Sequence, residues 1–145
     1  MAITSTLCTS FKQELLQGVH NFNKASSRDT FKLALYSSTA SLDASTTAFT
    51  TSGEVTGTNY TSGGATLTLK TGTPTTDGTT AVVDFDPLTF SNVTLTAAGA
   101  LIYNSSDSNK AVCVISFGKD VSASASNFTI TFPSTGASNS IIRLA

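Results

Sequence analysis

Hydroxyl side chains dominate this chain: 26 threonines and 21 serines stand among its 145 residues. Threonine is β-branched and favours the half-buried, pleated surface of a strand, whereas serine and glycine favour turns. A chain of this kind is predicted to be mainly β, with a neutral polar surface. At 14.9 kDa it is long enough to bury a core without disulfides or metal, so we expect one domain over residues 1–145.

One segment near the N-terminus carries a helical pattern. Leu7, Phe11 and Leu15 recur every four residues, which predicts a single N-terminal α-helix over about residues 5–18. The pair Ser10-x-x-Gln13 matches a capping box, which would place the start of the helix proper later than residue 5. The apolar face of this helix is expected to pack on the protein's own sheet, with docking on a partner as the alternative.

A polar linker over 21–29 leads to the first predicted strand, Phe31–Tyr36, in which apolar side chains alternate strictly. Serine, threonine and glycine then dominate residues 37–64. This stretch is too long for an ordinary connection, so we interpret it as a functional loop or an extended arm, and as the main candidate for contact with a partner. Four side chains are expected to anchor it: Leu42, Phe49, Val55 and Tyr60.

The rest of the chain, from about 66 to 144, is predicted to form short strands separated by turns. The predicted strands are 66–70, 79–85, 93–97, 100–103, 111–117, 128–132 and 141–144, with turns at 77–78, 104–109 and 118–127. We expect seven or eight strands in all, with 31–36 included. The expected fold is a single β-sandwich or jelly-roll-like domain with one N-terminal helix.

Composition argues against several classes of function. The net charge is −1 and the eight basic residues are scattered, so no cationic surface for nucleic acid is expected. No apolar run reaches the ~20 residues that span a bilayer, and Met1–Thr6 lacks the basic start of a signal peptide. We therefore expect synthesis as a soluble chain in the cytoplasm, with no membrane partner.

Few residues offer chemistry. His20 is the one histidine, and a role as general base would need a nucleophile and a carboxylate beside it, so a structural or surface role is expected. Asp84 and Asp86 lie two apart; paired carboxylates perform glycoside hydrolysis, but a solvated strand face is the expected setting. Cys8 and Cys113 are expected to be buried free thiols, with a disulfide or a reactive thiol as alternatives. We predict no enzyme, cofactor, metal site or small-molecule substrate.

Several segments together resemble a group of small virion proteins of tailed bacteriophages. The similarity runs nearly from end to end, and no catalytic motif contributes to it. The segments that carry it are Thr6–Phe22, Phe31–Tyr36, Gly99–Asn104, Asn109–Val112, Ile115–Gly118 and Phe128–Phe132.

The resemblance implies a capsid decoration, or cement, protein that binds the outer surface of a phage head and bridges neighbouring major capsid subunits. It also implies self-association as a homotrimer and a location on the virion surface. Two alternatives remain: a tail, baseplate or fibre-adaptor protein of the virion, and a small carbohydrate-binding β-sandwich. The absence of tryptophan, which stacks well on sugars, counts against the last of these.

Overall fold

The computed structural model describes residues 2–23 and 27–145; Met1 and residues 24–26 of the predicted linker lie outside this description. The protein is mainly β, with two antiparallel sheets and one short helix in a β-sandwich-like arrangement, as the sequence predicted. The elements are β1 Thr6–Leu7, α1 Thr9–Leu16, β2 Phe31–Tyr36, β3 Ala65–Thr66, β4 Thr75–Asp77, β5 Thr80–Val83, β6 Leu88–Asn104, β7 Lys110–Ile130 and β8 Ile142–Leu144. The larger sheet has the order β1-β7-β6-β2-β3, and the smaller one β4-β5-β8.

The helix is shorter than predicted, because its expected first turn belongs to a sheet. Leu7 pairs with Cys113 as part of β1, and α1 begins only at Thr9. The predicted capping box does not form: Cys8 is the N-cap residue, it makes no side-chain capping bond, and the hydroxyl of Ser10 is buried without a hydrogen-bond partner. Phe11 is the buried residue of the helix, and it packs on the protein's own core.

β2 occupies the predicted range and lies at the centre of the core. It pairs with β6 along its whole length, from Phe31 opposite Asn104 to Tyr36 opposite Gly99. Five of its six residues are buried, so both faces are covered and not only the apolar face that the alternation marked. Aromatic rings continue the packing toward the smaller sheet. The ring of Phe31 stacks on that of Phe22, with centroids 4.3 Å apart, and its centroid lies 6.3 Å from that of Phe85.

One long hairpin, β6 and β7, replaces four of the predicted short strands. The predicted turn over 118–127 is wrong, because the chain continues along β6 as a single strand of 21 residues. The turn signal around Gly118 (φ +75°) is used instead as a bulge: Gly99 pairs with Ser116 but Ala97 with Val121, so β7 carries extra residues there. A bulge absorbs such residues by bending the strand without ending its pairing.

The other short strands differ from the predictions mainly at their ends. Of the predicted strand 66–70, only Thr66 pairs regularly, as part of β3, although Leu67 and Leu69 are buried. Thr80–Val83 and Ile142–Leu144 lie inside their predicted ranges, and the strand predicted over 128–132 ends at Ile130 as part of β7.

Candidate interaction surface

The outer half of the long hairpin presents hydroxyl groups to solvent on one face and buries apolar side chains on the other. In β6, Val93 and Leu95 are buried whereas Thr94 and Thr96 are exposed. The same alternation appears in β7, where Ala123 and Phe128 are buried. The exposed set, which we call the hydroxyl face, consists of Thr89, Thr94, Thr96, Ser122, Ser124 and Thr129.

Members of the hydroxyl face are hydrogen-bonded to one another across the two strands. Thr96 Oγ1 and Ser122 Oγ lie 2.7 Å apart, and Thr89 Oγ1 and Thr129 Oγ1 lie 3.0 Å apart. Such cross-strand pairs stabilise a sheet modestly and fix the side-chain rotamers. Neither 88–98 nor 121–130 contains a charged residue, so this face is neutral and ordered. The strict alternation in 93–97 was the sequence signal for it.

Segment 37–64 contains no helix or multi-residue strand, but it is fastened to the larger sheet along its length. Single bridges join Tyr36 to Glu54, Ala48 to Lys110 and Thr58 to Thr94. The four predicted anchors pack in or against the core. The structure therefore shows a segment folded onto the sheet and not a free arm.

All three tyrosine hydroxyls of the protein hold this segment. Tyr36 donates to the carbonyl of Thr50 at 2.6 Å, and Tyr103 donates to the carbonyl of Gly63 at 2.5 Å. The hydroxyl of Tyr60, which belongs to the segment, accepts the backbone N–H of Leu35 in β2 at 2.9 Å. Burial raises the pKa of each tyrosine, so the hydroxyls stay protonated and keep their hydrogen bonds at alkaline pH.

The carboxylate of Glu54 organises the end of the segment. It accepts hydrogen bonds from the hydroxyls of Tyr60 at 2.9 Å and Ser62 at 2.6 Å, and from the backbone N–H of Gly63 at 2.7 Å. The next residue, Gly64, has φ +75°, and a Cβ there would lie 1.8 Å from the carbonyl oxygen of Leu33. The chain can approach β2 this closely only because residue 64 has no side chain.

His20 lies in the interior and all its polar atoms have partners. Its Nε2 donates to Glu14 at 3.2 Å, and its Nδ1 accepts the side-chain amide of Asn104 at 3.1 Å. The same amide donates to Asp29 at 2.8 Å, so the network joins the helix, the linker and the end of β6. Because an amide donor faces Nδ1, the network sets the tautomer with hydrogen on Nε2. In the described residues the hydrogen bonds of the ring go to Glu14 and Asn104, and they tie the helix to the end of β6.

The predicted setting of the aspartate pair is wrong for one of its members. Asp84 is fully buried, not solvated, and β5 ends before it at Val83. Its Oδ1 accepts the N–H of Phe85 at 3.1 Å, and desolvation raises the pKa of the carboxyl, although contacts with Phe85, Ser140 and Lys70 oppose the rise. Asp86 is partly exposed. The two carboxyls thus sit in different environments and do not line one shared strand face.

Cys8 and Cys113 are both free and buried, as predicted. Burial raises the pKa of Cys8 to about 11 and raises that of Cys113 further, so neither is a thiolate at neutral pH. Within the described ranges, no three His, Cys, Asp or Glu side chains are grouped so that they could hold a metal ion. Residues 2–23 and 27–145 include no helix that is long and apolar enough to cross a membrane.

Comparison of the chain with protein-family models, curated proteins and solved structures gives no match. The similarity to phage virion proteins therefore stays a prediction from the sequence.

Proposed function

We propose that this protein is a capsid decoration protein, which binds the outer surface of a phage head and stabilises contacts between major capsid subunits. The observation that supports this proposal is the hydroxyl face: an exposed, neutral and internally bonded sheet surface on a hairpin whose strands have 17 and 21 residues. Such a surface suits contact with other proteins, because docking on it leaves no charge unpaired.

The mechanism we propose is the addition of many weak contacts. Exposed serine and threonine side chains offer donors and acceptors, and their ordering costs little conformational entropy. Because a shell displays many equivalent sites, ligands that bind the assembled lattice but not its free subunits shift the equilibrium toward the intact particle. Segment 37–64 is held against the larger sheet, so it would add a surface of fixed shape to this contact.

Binding to heads tests the proposal directly. Heads that lack the protein, prepared from the phage that carries its gene, are mixed with purified protein and pelleted. Saturable co-sedimentation is expected, together with an increase in the temperature at which the heads release DNA. Absence of saturable binding, or immunogold labelling of the tail instead of the head, would contradict the proposal.

A pair of matched variants tests the role of the hydroxyl face. Thr96→Lys places a charge on that face, whereas Thr76→Lys makes the same change at an exposed position of β4 in the smaller sheet. We expect Thr96→Lys to weaken head binding at least roughly tenfold, because an unpaired charge is then desolvated in the contact, and Thr76→Lys to bind like the wild type. Equal binding by both variants would exclude this face as the contact.

A further inference from the structure

The outer half of β7 is an unpaired sheet edge. β1 covers β7 only at Cys113 and Val114, and in the described chain no strand pairs with its outer edge over Val121–Ile130. Free strand edges usually carry charged residues or proline, which discourage pairing with another chain. The stretch 121–130 contains neither; Lys119 and Asp120 precede it.

An apolar groove of about 410 Å³ follows the same edge. It is lined by Phe117, Val121, Phe128, Ile130, Phe132 and Ile141, and so it opens between β7 and the residue that precedes β8. Several of these side chains are only half-buried in the single chain. A free edge beside an apolar groove is the arrangement that accepts an added strand, since backbone groups give affinity and the groove selects side chains.

We propose that this edge pairs with the same edge of a second copy, antiparallel, about a two-fold axis between Ala125 and Ser126. Two-fold pairing is possible only where a strand is complementary to itself in reverse. In this register Val121 lies opposite Ile130 of the second copy, and Ser122 lies opposite its Thr129.

Because of the bulge at Ala125, the alternation of inward and outward side chains along 121–130 matches its own reverse. Before it, the inward residues are the odd-numbered Val121 and Ala123, and after it they are the even-numbered Phe128 and Ile130. Ala125 has φ +46°, and the register shifts by one residue between Ala123 and Ser126. A register centred at 125/126 therefore matches inward with inward and outward with outward residues on both sides of the axis.

The dimensions of this edge indicate a reversible dimer. The ten residues 121–130 rise ~3.4 Å each, so the edge is about 34 Å long. Two packed sheet layers of ~10 Å each make the contact about 20 Å wide. The contact is then at most about 700 Å² per copy, near the low end for specific interfaces. We expect a dissociation constant of the dimer in the micromolar range. Contacts of this strength still stabilise an assembly in which they are repeated many times.

Sedimentation velocity over concentrations from about 1 to 200 µM tests the pairing. A monomer–dimer equilibrium is expected for the wild type. A monomer throughout, or a trimer without a dimer, would overturn the inference. This outcome is independent of binding to phage heads, so a failure of the proposed function would leave it standing.

Two charge variants test the register itself. Ser122→Lys with Thr129→Lys places like charges opposite each other across the axis, whereas Ser122→Glu with Thr129→Lys places opposite charges there. Both variants lose the same hydroxyl bonds to β6, so each controls for the other. We expect the two-lysine variant to dissociate at least roughly tenfold more readily than the glutamate–lysine variant. Equal dissociation constants would refute this register.

Discussion

Removal of the Tyr60 hydroxyl tests whether segment 37–64 is held by buried hydrogen bonds. That hydroxyl accepts the N–H of Leu35, a residue with no exposed surface, and donates to Glu54. In Tyr60→Phe the N–H of Leu35 loses its partner inside the protein. A buried unsatisfied group costs about 1 to 3 kcal/mol. With ~4 °C per kcal/mol for a domain of this size, the melting temperature should fall by roughly 4 to 12 °C.

Tyr36→Phe is the control, because it makes the same chemical change at a tyrosine whose hydroxyl donates one hydrogen bond and accepts none from a buried backbone N–H. The hydroxyl of Tyr36 donates to the carbonyl of Thr50, which belongs to an exposed residue that water can reach. The expected cost is then only the net value of one hydrogen bond, about 0.5 to 1.5 kcal/mol. Urea denaturation and calorimetry of both variants measure the difference. A loss in Tyr36→Phe that equals or exceeds the loss in Tyr60→Phe would refute the reasoning.

Three further predictions concern Asp84, the two cysteines and Gly64. Because burial raises the pKa of Asp84, the fold favours its protonated form; stability from this group is complete below the ordinary value near 3.8 and declines as pH rises through the higher folded-state pKa. Asp84→Asn should therefore flatten the decline in melting temperature above pH 4, and an unchanged profile would contradict the assignment. Cys8 and Cys113 should resist a thiol reagent in the native protein and react with two equivalents in denaturant; fast native labelling would show that one is accessible. Gly64→Ala should cost about 2 to 5 kcal/mol, from a left-handed backbone and a clash with β2. Gly72 also has a left-handed backbone (φ +90°), but a Cβ built there would have no neighbouring atom within 4 Å. Gly72→Ala should therefore cost only the backbone strain, about 1 to 2 kcal/mol, as chemical denaturation would show.

Local patterns in the sequence were sufficient for the fold class and for β2. The alternation in 31–36 gave the boundaries of that strand. The helix was overextended because Leu7 continues the four-residue spacing of Phe11 and Leu15. A pattern of apolar positions does not distinguish a helical turn from two residues paired with a neighbouring strand.

The outer half of the hairpin was misjudged for a different reason. A glycine followed by charged and small residues usually marks a turn, and 118–127 has this composition. Whether such a stretch turns or bulges depends on what lies beside it. Here β6 offers a continuous partner from Leu88 to Asn104, and pairing with it recovers the backbone hydrogen bonds that a turn would give up.

The polar contacts between distant segments were beyond local patterns, because each joins residues far apart in sequence. Asn104 meets His20 across 84 positions, and Ser106 reaches back to the N–H of Thr30 across 76. The hydroxyl face depends on the same kind of information. Serine and threonine are spread over the whole chain, but it is the strand register that places Thr96 opposite Ser122, and Thr89 opposite Thr129, as fixed, neutral pairs on an exposed sheet. Composition thus predicts a polar surface, whereas strand register decides which part of that surface is ordered enough to bind another protein with little loss of entropy.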